Sequence, residues 1–185
     1  MGVDQEVLRQ IADHRTGWAT DLARTVAEVG MSTTAYLAAA VLCVLFGWVF
    51  RAWRPALAAP VAAVLAIGIA EAAKDLIGRA RPPQALAELT STGYAMPSSI
   101  GAMTSAAAVP VVLAGLRMGT ATGRVLAAVV AVATVGVGVC MVYLGAHWLT
   151  DVLAGWALGT AIGLAVYRVI AGPVRHRRVR AFSGR

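Results

Sequence analysis

Long apolar runs separated by short polar connections dominate the chain after residue 30. Five of these runs are about 20 residues long, the length that an α-helix needs to cross the hydrocarbon core of a bilayer. They cover residues 32–50, 56–77, 98–117, 124–145 and 150–170. Proline and glycine mark most of the connections, as expected where helices end. The pattern therefore predicts an all-α, integral membrane helical bundle with five transmembrane helices.

Residues 1–30 follow a different pattern, in which apolar side chains recur with a period close to 3.6 residues and most charged side chains lie elsewhere. Such a segment is typical of an amphipathic helix that lies on the membrane or packs along a bundle. Ser32 is expected to cap the helix that follows. We therefore expect three parts: an amphipathic N-terminal helix over 1–30, a transmembrane bundle over 31–172 and a basic tail over 173–185.

The last apolar run carries Gly155, Gly159 and Gly163 at intervals of four residues. On a helix this spacing places the three glycines in one stripe, which lets a neighbouring helix approach closely. We interpret the stripe as a packing surface.

The composition agrees with a membrane protein, since 59% of the 185 residues are hydrophobic and 14% are charged. Cys43 and Cys140 fall inside apolar runs, so we interpret them as small buried side chains rather than as a disulfide or a metal site. The first 30 residues contain no continuous apolar stretch of the kind found in a cleavable signal peptide. The first span is therefore expected to direct insertion.

Charge is distributed unequally between the two membrane faces that five spans create. One face carries ten arginines and no carboxylate: Arg51, Arg54, Arg117, Arg124, Arg168, Arg175, Arg177, Arg178, Arg180 and Arg185. The opposite face carries the remaining six cations and all nine carboxylates. The positive-inside rule places the arginine-only face in the cytoplasm. The 79–97 loop and His147 are then outside the cell membrane, and the C-terminus is cytoplasmic. The net charge of +7 is mainly a topology signal that also favours anionic lipid headgroups, and we expect no nucleic-acid partner.

His147 and Asp151 are charged or polar residues within an otherwise apolar region. They are four residues apart, so on a helix they share a face, and the Asp151 carboxylate is expected to accept a hydrogen bond from one ring nitrogen of His147. The other nitrogen is then free to act as a base or nucleophile. The structural alternative is a histidine anchored at the membrane interface and an aspartate that caps the next helix.

Cations and hydroxyls near the second and third spans are candidates for binding an anion. Lys74 lies near the outer end of the second span and Arg81 follows after six residues. Cations at membrane depth usually mark a function or an internal partner, and Glu71 is such a partner for Lys74. Ser98 and Ser99 open the third span, where free amide groups and the helix dipole favour an anion. A simple N-cap is the alternative for either serine.

In this order, and on one face of the membrane, these residues resemble the type 2 phosphatidic acid phosphatase family. Its signature consists of K-x6-R-P, P-S-G-H and S-R-x5-H-x3-D. The matching segments are Lys74 to Arg81-Pro82, then Pro97-Ser98-Ser99-Ile100, then Cys140-Met141 with His147 and Asp151. The resemblance covers about residues 56–170. It implies a six-helix α bundle, a phosphate near the outer leaflet, a phosphohistidine intermediate and no metal or other cofactor.

The resemblance also implies a role for each matching residue. His147 is expected to attack phosphorus, and Asp151 is expected to orient the histidine. The remaining matches would bind the phosphoryl oxygens, and we call these residues the phosphate cradle: Lys74, Arg81, Ser98 and Ser99.

The chain departs from the family pattern at two functional positions. Ile100 stands where the family has the histidine that protonates the leaving group, and Met141, preceded by Cys140 instead of serine, stands where it has a phosphate-binding arginine. Loss of a general acid typically costs ~10²–10⁴ in rate, and loss of one strong electrostatic contact costs about 3 kcal/mol. A lipid phosphate monoester should therefore be hydrolysed poorly. A diphosphate expels a lipid monophosphate, which needs no proton.

Two functions are consistent with these residues. Retention of His147 and Asp151 favours a divergent membrane lipid phosphatase that acts at the outer face on a polyprenyl or glycerolipid phosphate, preferably a diphosphate. Ile100 and Met141 favour a catalytically impaired pseudophosphatase that binds or carries a lipid phosphate or serves as a partner subunit. Ionisation of a prenyl diphosphate is a third reaction, for which no motif is present. Membrane lipids are partners in each case, and the sequence allows a homo-oligomer without predicting the oligomeric state.

Overall fold

The computed structural model describes residues 2–172, apart from the side chain of Thr33. Within that range the chain forms seven α-helices, one short 3₁₀-helix at Gln84–Leu86 and no strand. The α-helices are α1 (Val3–Asp13), α2 (Gly17–Met31), α3 (Thr33–Val49), α4 (Trp53–Ile77), α5 (Ser99–Arg117), α6 (Ala121–Tyr143) and α7 (Leu149–Ala171). The predicted basic tail over 173–185 lies outside the described residues.

Four of the helices, α4 to α7, are long and apolar enough to cross a membrane. Helix α3 has 17 residues, and α2 and α3 together meet the same length and hydropathy criteria as one broken span bent by 66°. Each of the five predicted apolar runs falls on one helix from α3 to α7, and Ser32 caps α3 through a bond from the Ala35 N–H. The prediction of an all-α, multi-pass membrane bundle is therefore confirmed.

The N-terminal segment differs from the single helix predicted over residues 1–30. The chain leaves the helical conformation after Asp13 and begins α2 at Gly17. Leu8 of α1 is buried beside Trp148, whereas Ala23 of α2 packs in a cluster with residues of α6. The prediction of one helix is therefore wrong. The pattern gave no sign of the break because Ile11 and Trp18 are seven residues, or two helical turns, apart, so the apolar period continues in phase across it.

Helix α7 lies against α5 through the predicted glycine stripe. A Cβ atom added at Gly155 would lie 2.5 Å from the carbonyl oxygen of Ser98, and one added at Gly163 would lie 2.7 Å from that of Ala106. A Cβ atom at Gly159 would overlap the Ala102 carbonyl oxygen. The two backbones are therefore close enough that only glycine fits between them. This contact places the first turn of α7 beside the first turn of α5.

Four helix ends meet at one end of the bundle: the C-termini of α4 and α6 and the N-termini of α5 and α7. Gly145 turns the chain after α6 with a φ of 70°. A Cβ atom there would lie 2.6 Å from the carbonyl oxygen of Leu86, so the loop between α4 and α5 lies directly on this turn. Helix α1 contacts the same region. The opposite helix ends carry Arg54, Arg117, Arg124 and Arg168.

Candidate active site

His147 lies in the turn between α6 and α7, where its side chain is buried with 6% exposure. Its Nε2 atom is 3.4 Å from Nη1 of Arg81. A guanidinium group can only donate a hydrogen bond, so Nε2 is the acceptor in this contact. The nitrogen that carries the lone pair therefore faces a fixed positive charge.

Asp151 is fully buried in the first turn of α7. Its Oδ2 atom accepts from the Trp148 N–H at 2.9 Å, and its Oδ1 atom accepts from Nη1 of Arg79 at 2.6 Å. The carboxylate therefore caps α7, as the structural alternative proposed, and it also carries a negative charge beside His147.

The hydrogen bond predicted between His147 and Asp151 is not formed. Nδ1 of His147 lies 3.6 Å from Oδ2 of Asp151, beyond hydrogen-bond distance, and it has no hydrogen-bond partner among the described residues. The reason is that His147 precedes α7 instead of sharing a helix face with Asp151, and both carboxylate oxygens already accept other bonds. In catalytic sites such distances are often longer before substrate binds.

Arg81 is held in place by the backbone of two loops. Its Nη1 atom donates to the Ala146 carbonyl at 2.7 Å, and its Nε atom donates to the carbonyls of Thr92 and Gly93. Burial lowers the pKa of Arg81 from its ordinary value, while Asp151 and a glutamate nearby favour the charged form. Because arginine keeps its proton at physiological pH, the positive charge beside His147 is permanent.

Lys74 and Ser99 both donate to one carboxylate oxygen. Nζ of Lys74 lies 2.9 Å from Oε1 of Glu71, and the Ser99 hydroxyl donates to the same atom. The ion pair proposed as the alternative for Lys74 is therefore present. Glu71 and Lys74 line a cavity of about 370 Å³ together with the loop residues Thr92, Gly93 and Tyr94. Two cradle residues thus bind an anion supplied by the protein.

Ser98 is fully buried and caps α5, since its Oγ atom accepts from the Gly101 N–H at 3.2 Å. Its own N–H donates to the Asp151 carbonyl at 2.9 Å. This backbone bond links the two halves of the site: Arg81, His147 and Asp151 on one side, and the pair that contacts Glu71 on the other. The predicted site residues therefore lie at the same end of the bundle, and their catalytic roles stay predictions.

The two positions that depart from the family pattern have a packing role. Met141 is 2% exposed and forms an apolar cluster with Ala23 and Ala27 of α2, against which Ile100 and Cys140 also pack. Helix α2 therefore covers the Met141 side chain with small apolar residues.

Arg79 and Asp4 are also parts of the site, although the sequence motifs did not predict them. Arg79 donates through Nη1 to Asp151 and to the Thr150 hydroxyl, and through Nη2 to Asp4 on α1, each at 2.6 Å. Burial opposes the charge on Asp4, but bonds from Thr150 and Arg79 outweigh it and hold the pKa of this carboxyl below its ordinary value. The only sequence signal was the position of Arg79 between Lys74 and Arg81.

A sequence profile of the PAP2 superfamily matches residues 55–175, which include every residue of the site except Asp4. This chain belongs to the PAP2 superfamily. Among curated proteins, this PAP2 chain is similar to an undecaprenyl-diphosphatase of Sulfolobus acidocaldarius, with 32% identity over 118 residues. The match covers 60% of this chain and 54% of that protein, so the chain spans about half the length of this relative.

Two solved structures have a similar fold. The first is a transmembrane PAP2-type phosphatidylglycerolphosphate phosphatase from Bacillus subtilis, with a TM-score of 0.79, 20% identity and coverage of 94% of this chain and 87% of that one. The second is LpxE from Aquifex aeolicus, with a TM-score of 0.68, 17% identity and coverage of 91% and 96%. At these identities the similarity establishes the PAP2 fold.

Proposed function

We propose that this PAP2 protein is a membrane lipid phosphatase that hydrolyses a polyprenyl or glycerolipid phosphate or diphosphate through a histidine nucleophile. The observation that carries the proposal is the 3.4 Å distance between Nη1 of Arg81 and Nε2 of His147. A phosphoryl group bound to Arg81 has its phosphorus next to the nitrogen lone pair. Membership of the superfamily and the names of the similar proteins, an undecaprenyl-diphosphatase and a phosphatidylglycerolphosphate phosphatase, support the same reaction class.

In this mechanism Nε2 of His147 attacks phosphorus, and the bond to the leaving oxygen breaks to give a phosphohistidine. The ring becomes positively charged, and the buried Asp151 carboxylate on the Nδ1 side stabilises that charge. Water then attacks the phosphohistidine and releases inorganic phosphate. Arg81, Lys74 and Ser99 bind the charge that develops on the phosphoryl oxygens.

The substrate preference follows from the apolar residues at positions 100 and 141. Neither side chain donates a proton or a hydrogen bond, so the expulsion of an alkoxide from a monoester lacks the histidine and the arginine of the family. A diphosphate releases a lipid monophosphate, which is already stable as an anion. We therefore propose that diphosphates are the better substrates, and the name of the Sulfolobus relative agrees.

We also propose that the site faces the outside of the cell and that the tail is cytoplasmic. The helix ends that carry arginines lie away from the site, and the positive-inside rule places these helix ends in the cytoplasm. Single cysteines at Thr90 and Ala121, both exposed and at opposite ends of the bundle, test this in a background without Cys43 and Cys140. An impermeant thiol reagent applied to intact cells should label position 90, and exclusive labelling of position 121 would invert the orientation.

The activity is tested by phosphate release from purified protein in detergent. The substrates are a polyprenyl diphosphate, the matching monophosphate, phosphatidic acid and phosphatidylglycerolphosphate, each also assayed with His147→Ala. We expect release that depends on His147 and that is faster from the diphosphate than from the monophosphate, because a lipid monophosphate is the better leaving group. Release no greater than that of His147→Ala on every lipid would contradict the proposal.

The second candidate is a pseudophosphatase that binds lipid phosphate without turnover. The burial of Met141 under α2 favours it, because no guanidinium occupies that position. It predicts saturable binding of the same lipids with Lys74 and Arg81 required, and no release of phosphate.

A further inference from the structure

A carboxylate occupies the part of the site to which the proposed function assigns phosphoryl oxygens. Oε1 of Glu71 accepts from both Lys74 and Ser99, which are two of the four cradle residues. The Glu71 side chain is 57% exposed and lines the 370 Å³ cavity. A phosphoryl group bound by these two donors is therefore within hydrogen-bond reach of the Glu71 carboxyl.

A pair of charges on one helix turn explains only half of this arrangement. Glu71 and Lys74 are three residues apart on α4, and such pairs are common on helix surfaces. Ser99 lies on α5, 28 residues further along the chain, and its hydroxyl also points to Glu71. Ser99 directly precedes Ile100, the position at which the resemblance expects the proton-donating histidine. Helix α4 thus brings a carboxyl group next to the motif that lacks its histidine.

We propose that Glu71 performs the proton transfers that the missing histidine would perform, first as general acid and then as general base. The inference rests on the proposed function. When Nε2 of His147 forms its bond to phosphorus, the electron pair of the breaking P–O bond passes to the leaving oxygen, which takes the Glu71 proton. In the second step Glu71 takes a proton from water as the water oxygen bonds to phosphorus, and the N–P electron pair returns to His147.

The proposed role requires Glu71 to gain a proton when substrate binds. Without substrate, the bonds from Ser99 and Lys74 and the charge of Arg81 favour the ionised carboxylate. Asp75 and Tyr94 line the same cavity. A bound phosphoryl group takes over the bonds from Lys74 and Ser99 and adds negative charge beside the carboxyl. Loss of these partners and a nearby like charge both favour the protonated form.

The test compares Glu71→Gln with wild-type protein on a lipid monophosphate and on the matching diphosphate. Glutamine keeps the size of the side chain and an acceptor oxygen for Lys74 and Ser99, but it has no proton to give. We expect monophosphate hydrolysis to fall by ~10²-fold or more and diphosphate hydrolysis by less than a tenth of that factor. Monophosphate turnover by the wild type should decline with rising pH as Glu71 loses its proton. The pH profile of Glu71→Gln should not show this decline.

Asp75→Asn is the matched control, because it removes the same charge from the same cavity, and Asp75 bonds to neither Lys74 nor Ser99 in the described part of the chain. A second control adds Ile100→His to Glu71→Gln, which returns a donor to the family position and should restore monophosphate hydrolysis. Monophosphate turnover by Glu71→Gln at the wild-type rate, or equal losses on both lipids without restoration by Ile100→His, would overturn the inference. Absence of His147-dependent release in wild-type protein would instead refute the proposed function.

Discussion

Pairing of buried charges determines the arrangement of individual residues in the site. Asp151 has no exposed surface, and a buried carboxylate is costly unless it is paired and hydrogen-bonded. Arg79 supplies the pairing, and the Trp148 N–H supplies a further bond. Arg79 bonds to Asp151, whose carboxylate lies 3.6 Å from His147, so we expect Arg79 to position the carboxylate beside the histidine.

Replacement of Arg79 by alanine should destabilise the protein strongly, because it leaves Asp151 buried and uncompensated. Removal of one partner of a buried ion pair typically costs about 3–5 kcal/mol. Lysine keeps the charge but cannot bind Asp4 and Asp151 through separate nitrogens. The stability of Arg79→Lys should therefore lie between those of the wild type and Arg79→Ala. The measurement is thermal unfolding in detergent.

The matched control is Arg24→Ala, which removes a half-exposed pair with Glu88. Pairs of that kind contribute about 0–1 kcal/mol. If Arg79→Ala and Arg24→Ala had the same unfolding temperature, the pairing of Asp151 would not be the structural requirement argued above.

Met141→Arg, which returns the family residue, should destabilise the bundle instead of improving catalysis. The side chain is buried among alanines of α2, so a guanidinium there has no partner and costs several kcal/mol. Met141→Leu conserves volume and polarity and should cost less than about 1.5 kcal/mol. The measurement is the unfolding temperature, which should be lower for Met141→Arg than for Met141→Leu. A stable Met141→Arg variant with faster phosphate release would contradict the prediction and mean that α2 moves aside.

Among the helices, the contact between α5 and α7 is the one that sets the site geometry, because it places Ser98 beside Asp151. Gly159→Ala should destabilise this contact, since the new methyl group overlaps the Ala102 carbonyl oxygen. Gly136→Ala on α6 is the control: no atom lies within 4 Å of its added Cβ, and alanine favours a helix by up to about 1 kcal/mol. In detergent, the unfolding temperature of Gly159→Ala should be lower than that of the wild type, and that of Gly136→Ala should be equal or higher. The reverse order would contradict the described packing.

Helix α1 is tied to the site by the bonds of Asp4 with Arg79 and Thr150. The pKa of Asp4 is lower in the folded protein than its ordinary value of about 3.9. The stabilisation is therefore complete above the ordinary value and is lost as pH falls through the folded pKa. Amide exchange in α1, corrected for intrinsic rates, should rise below about pH 4. Asp4→Asn should show fast exchange in α1 already at neutral pH, and unchanged exchange in both tests would mean that α1 is attached by apolar contacts alone.

The sequence was sufficient to predict the spans, because bilayer thickness fixes the length of a transmembrane helix. It was also sufficient to place Lys74, Arg81, Ser99 and His147 at one end of the bundle, since alternate connections share a membrane face. It could not predict the break near residue 14, where the apolar period continues. Nor could it predict the contact of Arg79 with Asp4, because 75 residues separate them and only the packed helices bring them together.

The molecule as a whole is a helical membrane bundle that places His147 and the cradle residues at one end. Helix α1 joins this end through the bonds of Asp4 with Arg79 and Thr150, and α2 packs on Met141. The central claim is that His147 itself becomes phosphorylated.

The most direct test is to trap that intermediate with a polyprenyl diphosphate labelled in its terminal phosphate. Purified protein is mixed with the lipid and quenched in alkali, where a phosphohistidine survives and a serine phosphate is eliminated. The account predicts label that is stable in alkali and released by acid, that maps to the peptide containing His147, and that is absent from His147→Ala. Turnover of the lipid with no labelled protein at any quench time, or equal labelling of His147→Ala, would contradict it.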